Sequence, residues 1–203
     1  MKKCNDKEVK KNICKLGLSG QFNINDVNKI LDIVSVGDKR LRNKNIDVDT
    51  ESIESIYNLL INMLNTLYDS NGCGIAAPQV GENINLFMIE IVSTDEDGEE
   101  YITYPLNVFI NPKIIEYSEE KNVDYEGCLS VGDFYAMVER STKVKIEYTT
   151  LSGERVVEEI EGFPARTVQH EYDHLQGRIY TDIADMKTFT TRDNLIENQN
   201  SND

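Results

Sequence analysis

The sequence predicts an α+β domain in which mostly antiparallel sheets pack around a central helix that carries a His-Glu-x-x-His motif. Three observations predict it. Val144, Ile146 and Tyr148 alternate with polar residues, as half-buried antiparallel strands do. Turn formers at Asp95-Glu96-Asp97-Gly98 and Leu151-Ser152-Gly153-Glu154 separate such segments in the manner of hairpin loops. Two stretches keep a helical period instead, and one of them holds both histidines of the chain.

Taken in order, residues 1–28 read as an N-terminal extension. Val9, Ile13 and Leu16 suit a short helix, and nothing else there is periodic, so a helix or no fixed structure are both open. A catalytic domain is expected over 29–185. It begins with a strand, Ile30 to Val36, that stops at Gly37-Asp38. A helix follows from Thr50 to Tyr68, with Ile53, Ile56, Tyr57, Leu60, Leu64 and Leu67 on one face and Thr50 and Glu51 capping its start. It ends in the turn formers Asp69-Ser70-Asn71-Gly72. Strands are expected at Ile84–Val92, Tyr101–Ile110, Lys113–Tyr117, Lys143–Thr149 and Arg155–Ile160. The histidine helix runs from Pro164, suited to a first turn, to Leu175, with Gly177 just past its end. Residues 186–203 read as a polar C-terminal tail, loose from Thr190 onward.

Composition narrows the class. A formal charge of −15 argues against nucleic-acid binding, which needs a dense basic face. No run of 18 apolar residues exists to span a membrane, and the first residues lack the apolar core of a secretory signal. Cys4, Cys14, Cys73 and Cys128 follow no framework spacing, so a reducing cytoplasm is expected. The acidic surface suits a soluble monomer.

The chemistry is concentrated in three segments. His170 and His174 stand one helical turn apart, so both imidazoles can reach one metal ion, with the Glu171 carboxylate beside it. That arrangement suits a metal-activated water with a general base next to it. Two histidines leave a catalytic metal one protein ligand short. Asp182, Asp185 and Glu197 are downstream candidates for the third, and Cys128, in Glu126-Gly127-Cys128-Leu129-Ser130, is a better one upstream. In Gly72-Cys73-Gly74-Ile75-Ala76-Ala77-Pro78-Gln79, the glycines permit close backbone approach by a bound peptide, and Gln79 offers a neutral amide donor.

Together, and in this order, the three segments resemble the signature motifs of the peptide deformylase family. The likeness runs from about Lys29 to Asp182. It implies that Cys128, His170 and His174 hold one divalent metal ion, Fe(2+) in the cell, with Ni(2+), Co(2+) or Zn(2+) acceptable in purified protein. It also implies that Glu171 relays a proton between the attacking water and the leaving amine. The side-chain amide of Gln79 and the backbone N–H of Leu129 would stabilise the oxyanion. Gly72, Gly74, Ile75, Glu126, Phe134 and Tyr135 would meet the substrate, an N-formylmethionyl polypeptide that loses its formyl group as formate. A transient ribosome contact stays open.

The segment Val131-Gly132-Asp133-Phe134-Tyr135 departs from the family pattern. Gly132 stands at a common Pro, Tyr135 at a substrate-contacting Arg, and Glu139 at another frequent Pro. None of these is a ligand or proton-transfer position, so peptide affinity beyond the methionine is what they put in question. Two other readings stand beside it: a zinc peptidase with Glu197 as third ligand, and a non-catalytic binder of formylated chains, for which Glu171 would have no use.

Overall fold

The computed structural model describes residues 2–95 and 97–200. Five α-helices lie among the described residues: α1 (Asp6–Lys15), α2 (Ile24–Val27), α3 (Tyr57–Asp69), α4 (Gly162–Leu175) and α5 (Arg192–Asn200). Eight strands accompany them: β1 (Gly74–Ala76), β2 (Leu86–Thr94), β3 (Glu100–Tyr117), β4 (Lys121–Cys128), β5 (Gly132–Ser141), β6 (Lys143–Thr149), β7 (Arg155–Glu161) and β8 (Asp185–Thr191). They form two antiparallel sheets, one of order β1-β2-β3-β6-β7 and one of order β4-β5-β8.

Burial explains the layering. Along β2, Leu86 and Met88 face a core built on Leu60, Ile61, Leu64 and Leu67 of α3. Phe87 and Ile89 point the other way, into a core with Ala165, Val168 and Leu175 of α4. An unbroken apolar run is what a strand covered on both faces requires. Fully burying one such side chain stabilises the fold by about 1.5–3 kcal/mol. Helix α4 therefore lies on one face of the larger sheet, and α3 on the opposite face.

Several expectations are corrected. Residues 30–36 form no strand. Their N–H groups go to four different partners: Ile30 to Lys2 O at 3.1 Å, Leu31 to Thr66 Oγ1 at 2.8 Å, Val34 to Gln79 O at 2.7 Å and Val36 to Ser130 O at 2.7 Å. The segment is an extended tie between motif regions rather than a rung of one ladder. Helix α3 starts at Tyr57, after a 3-10 turn over Ile53–Ile56, and Thr50 does not cap it. Asp49 closes a turn there by accepting from the Glu51 N–H.

The two strands expected at Tyr101–Ile110 and Lys113–Tyr117 are one, β3, bent at Asn111. The Asn111 backbone is left-handed, and its side chain bonds both the N–H and the C=O of Val48. The polar tail is ordered as well: β8 pairs with β5, and α5 follows it. In the hairpin loop Asp95–Gly98, Glu96 lies outside the described residues, as do residues 201–203 of the tail.

The N-terminal extension forms a helix. Asn5 caps α1 by accepting from the Lys7 and Glu8 N–H groups, and Val9 is fully buried against α3. Asn12 donates to Asn65 Oδ1 at 2.8 Å in that interface. Lys15 Nζ stands 2.7 Å from Glu90 Oε1 of β2, whose side chain is only 2% exposed.

Candidate active site

Three chain segments converge on a cleft of about 500 Å³. Helix α4 brings His170, Glu171 and His174; β4 and the turn after it bring Glu126 to Leu129; β1 and the following 3-10 turn bring Gly74 and Gln79.

One ligand atom each from Cys128, His170 and His174 lies within 4.8 Å of the others. Cys128 Sγ is 3.3 Å from His174 Nε2. His170 directs Nδ1 to Glu126 Oε2 at 2.9 Å, which leaves Nε2 for the centre. Burial alone would raise the Cys128 thiol, but the two imidazoles beside it hold it well below the ordinary thiol range. Burial likewise favours neutral His170, and the Cys128 sulfur and Glu126 outweigh it. A buried thiolate with two imidazoles is a donor set that fits ferrous iron or zinc.

Glu171 is almost fully buried, and its Oε2 has no hydrogen-bond partner among the described residues. Burial pushes its carboxyl up to about 7, where it can both take and return a proton. Gln79 is oriented by its own backbone neighbour: the Ala76 N–H donates to Oε1 at 2.8 Å. The amide nitrogen is thereby turned to the centre, 3.5 Å from Cys128 Sγ. Leu129 follows Cys128 in a turn closed by the Val131 N–H donating to Cys128 O at 2.9 Å.

Glycines set the clearances. A Cβ on Gly74 would stand 2.6 Å from Glu171 Oε1, and one on Gly127 would stand 2.6 Å from the Tyr135 ring. Gly72, Gly74 and Tyr135 line the cleft. The Ile75 side chain instead packs into the core, so only its backbone is at hand. Phe134, expected to meet substrate, does not line the cleft and stacks on Phe189 with ring centroids 5.1 Å apart. Side chains alternate along a strand, so Phe134 and Tyr135 point to opposite faces, and it is Tyr135 that lies against Gly127 on the cleft wall.

Glu126 also differs from expectation. Both of its oxygens are taken up within the protein, by Arg140, Arg166 and His170. Arg140 continues to Asp173 at 2.6 Å. Burial disfavours the Glu126 charge, but the hydrogen bonds from His170 and Arg140 more than reverse this and hold it far below the usual carboxylate range. This buried network, which the sequence reading missed, fixes the His170 ring. Its signal was present in the period-2 series Ala136, Val138, Arg140, which sets a charge on an inward apolar face.

The downstream ligand candidates lie elsewhere. Asp182 pairs with Arg42, Asp185 accepts from the Lys187 N–H, and Glu197 lies on α5. Among the described residues, the converging set of possible ligands is Cys128, His170 and His174, which removes the basis for the Glu197 peptidase.

Comparison with known proteins agrees with this geometry. The polypeptide deformylase family model matches residues 30–189. The chain is 40% identical over 163 residues to a peptide deformylase of Pseudothermotoga lettingae, covering 80% of this chain and 88% of that one. With one of Psychrobacter cryohalolentis it is 41% identical over 167 residues, covering 82% and 86%. Among solved structures, a class I type b peptide deformylase of Acinetobacter baumannii bound to Met-Ala-Ser is similar with TM-score 0.69 at 35% identity, covering 76% of this chain and 98% of that one. A peptide deformylase of Thermotoga maritima is similar with TM-score 0.66 at 34% identity, covering 77% and 99%.

Proposed function

We propose, for a chain that belongs to the peptide deformylase family, that it removes the formyl group from the N-terminal methionine of newly made polypeptides and releases formate. The observation that carries the reading is the convergence of Cys128, His170 and His174 with a buried, unpartnered Glu171 oxygen and an inward-turned Gln79 amide.

Cys128, His170 and His174 would hold one divalent ion, with Fe(2+) the choice in the cell and Ni(2+), Co(2+) or Zn(2+) in purified protein. Such an ion, when bound, would lower the pKa of a water far enough to supply a nucleophile at neutral pH. Glu171 takes a proton from the attacking water and delivers it to the leaving amine. The Gln79 amide and the Leu129 N–H donate to the oxygen on which negative charge grows, where fixed donors matter most. Glu126, held by Arg140 and Arg166, orients His170.

β1 is an edge strand, paired with β2 on one side. Gly72, Gly74 and the Ile75 backbone receive the substrate there as an added strand, while Tyr135 lines the opposite wall. The sheets gathered around the helix bearing His170, Glu171 and His174 make the scaffold of this site. The neighbour solved with Met-Ala-Ser supports a cleft that takes at least three residues. We read the protein as a cytoplasmic monomer that meets the ribosome at most transiently.

Formate release from a formyl-Met peptide tests the reading. Glu171→Gln is expected to abolish it while metal content by elemental analysis stays unchanged. Normal turnover in that variant overturns the proton-relay assignment.

A further inference from the structure

We propose that Arg192 is a specificity-determining residue: its guanidinium binds a carbonyl or carboxylate oxygen of the formylated peptide beyond the methionine. This rests on the deformylase reading above and names a group that the reading does not use.

Two guanidinium groups line the catalytic cleft, Arg166 and Arg192. Arg166 is buried and committed, donating to Glu126, to the Val138 carbonyl and to Asn122. Arg192 is exposed, and its side chain makes no ion pair or hydrogen bond among the described residues. Asp133 lies on the same wall and does not pair with it. In a chain of net charge −15, an uncommitted cation in the cleft is conspicuous.

Its backbone is firmly placed. Thr190 and Thr191 of β8 pair with Tyr135 and Phe134 of β5, which sets Arg192 beside the wall on which the Tyr135 ring covers Gly127. Gly127 adjoins Cys128, so that wall leads from the ligand centre outward. Arg192 is also the first residue of α5. The positive end of the helix dipole disfavours a cation there, so local helix energetics do not explain the residue. A guanidinium offers a rigid fork of donors suited to carbonyl and carboxylate oxygens and lacks any acceptor, so an oxygen-bearing ligand is the chemistry it selects. Arg192 lies beyond residue 189, where the family match ends, so this contact belongs to the chain's own C-terminal segment.

The test compares wild type, Arg192→Ala and Arg192→Lys in formate release from formyl-Met-Ala-Ser, and in calorimetric binding of the product Met-Ala-Ser. Losing one charge-assisted hydrogen bond is expected to raise KM and product Kd about 10-fold in Arg192→Ala. The expected kcat stays within about twofold, since uniform binding is what is lost. Arg192→Lys should recover part of the affinity. KM and product Kd within about twofold of wild type in Arg192→Ala overturn the proposal. A wild-type protein that releases no formate overturns the deformylase reading instead, and the product affinities then decide the role of Arg192.

Discussion

Gly74 leaves the space that the Glu171 carboxylate fills: a Cβ at position 74 would stand 2.6 Å from Glu171 Oε1 and 2.9 Å from its Cδ. The residue proposed to receive the peptide and the residue proposed to move the proton are thus packed against each other, and neither can change size alone.

Gly74→Ala should therefore displace Glu171. A general base contributes about 100- to 10,000-fold to rate, so kcat should fall by at least about 100-fold. Metal content should persist, because none of the three ligands is touched. Steady-state kinetics with elemental analysis checks this; an unaltered kcat would mean that Glu171 does not act from its observed position.

Gln79→Ala removes an oriented donor whose Oε1 is held by the Ala76 N–H. The expected loss is about 100- to 1,000-fold in kcat, with a smaller change in KM. Gln79→Glu should fare no better, since its carboxylate would repel the growing oxyanion. A change confined to KM would show that Gln79 binds substrate and leaves the transition state alone.

Removing metal with a chelator should abolish activity and lower the melting temperature, because an ion that binds only the folded state stabilises it in proportion to the logarithm of its concentration. Calorimetry before and after readdition of a divalent ion measures both effects. Cys128→Ala should leave the melting temperature insensitive to the chelator.

Lys15→Met strands the carboxylate of Glu90, which otherwise keeps only the Tyr68 hydroxyl at 2.6 Å. Lys15 is partly exposed, so the cost is less than for a fully buried pair, about 1–3 kcal/mol in urea unfolding. Adding Glu90→Gln should restore most of it. No recovery would mean that Lys15 acts through packing on the Tyr68 ring.

Acid stability should report the bond between Arg42 and Asp182. The hydrogen bond from Arg42 holds the Asp182 carboxyl below its ordinary value. A depressed folded-state pKa adds stability above the unfolded value and loses it as pH falls through the folded one. The gap in unfolding midpoint between wild type and Arg42→Ala should be open at pH 6 and close as the solution is acidified below about pH 4. A gap independent of pH would assign the effect to the Arg42 contact with the Gly177 carbonyl.

Elements whose apolar residues keep a regular period or an unbroken run were legible in the sequence: α4, β2, β6 and β7 lie close to their expected places, and α3 ends where expected although it starts later. The convergence of His170 and His174 with Cys128 was legible as well, because a His-Glu-x-x-His spacing has few uses. Strands β4, β5 and β8 escaped for a physical reason. β4 and β8 are edge strands of a small sheet, largely exposed, and β5 turns Arg140 inward where an apolar residue would have made the period plain. Residues 30–36 erred in the other direction. Val34 is buried and Leu31 and Ile33 pack partly against the core, and no periodicity reveals that the hydrogen-bond partners are scattered. The buried partners of Glu126 were not legible because they lie 14, 40 and 44 residues away.

The open edge beside the catalytic centre is three residues long. Long exposed edges recruit foreign strands and seed aggregates, which is a hazard for any protein that works among unfolded chains. Three residues can hold the start of a polypeptide in register but cannot template a growing sheet. On the proposed reading, the shortness of β1 suits a protein that handles sticky, half-made neighbours and must let go of them.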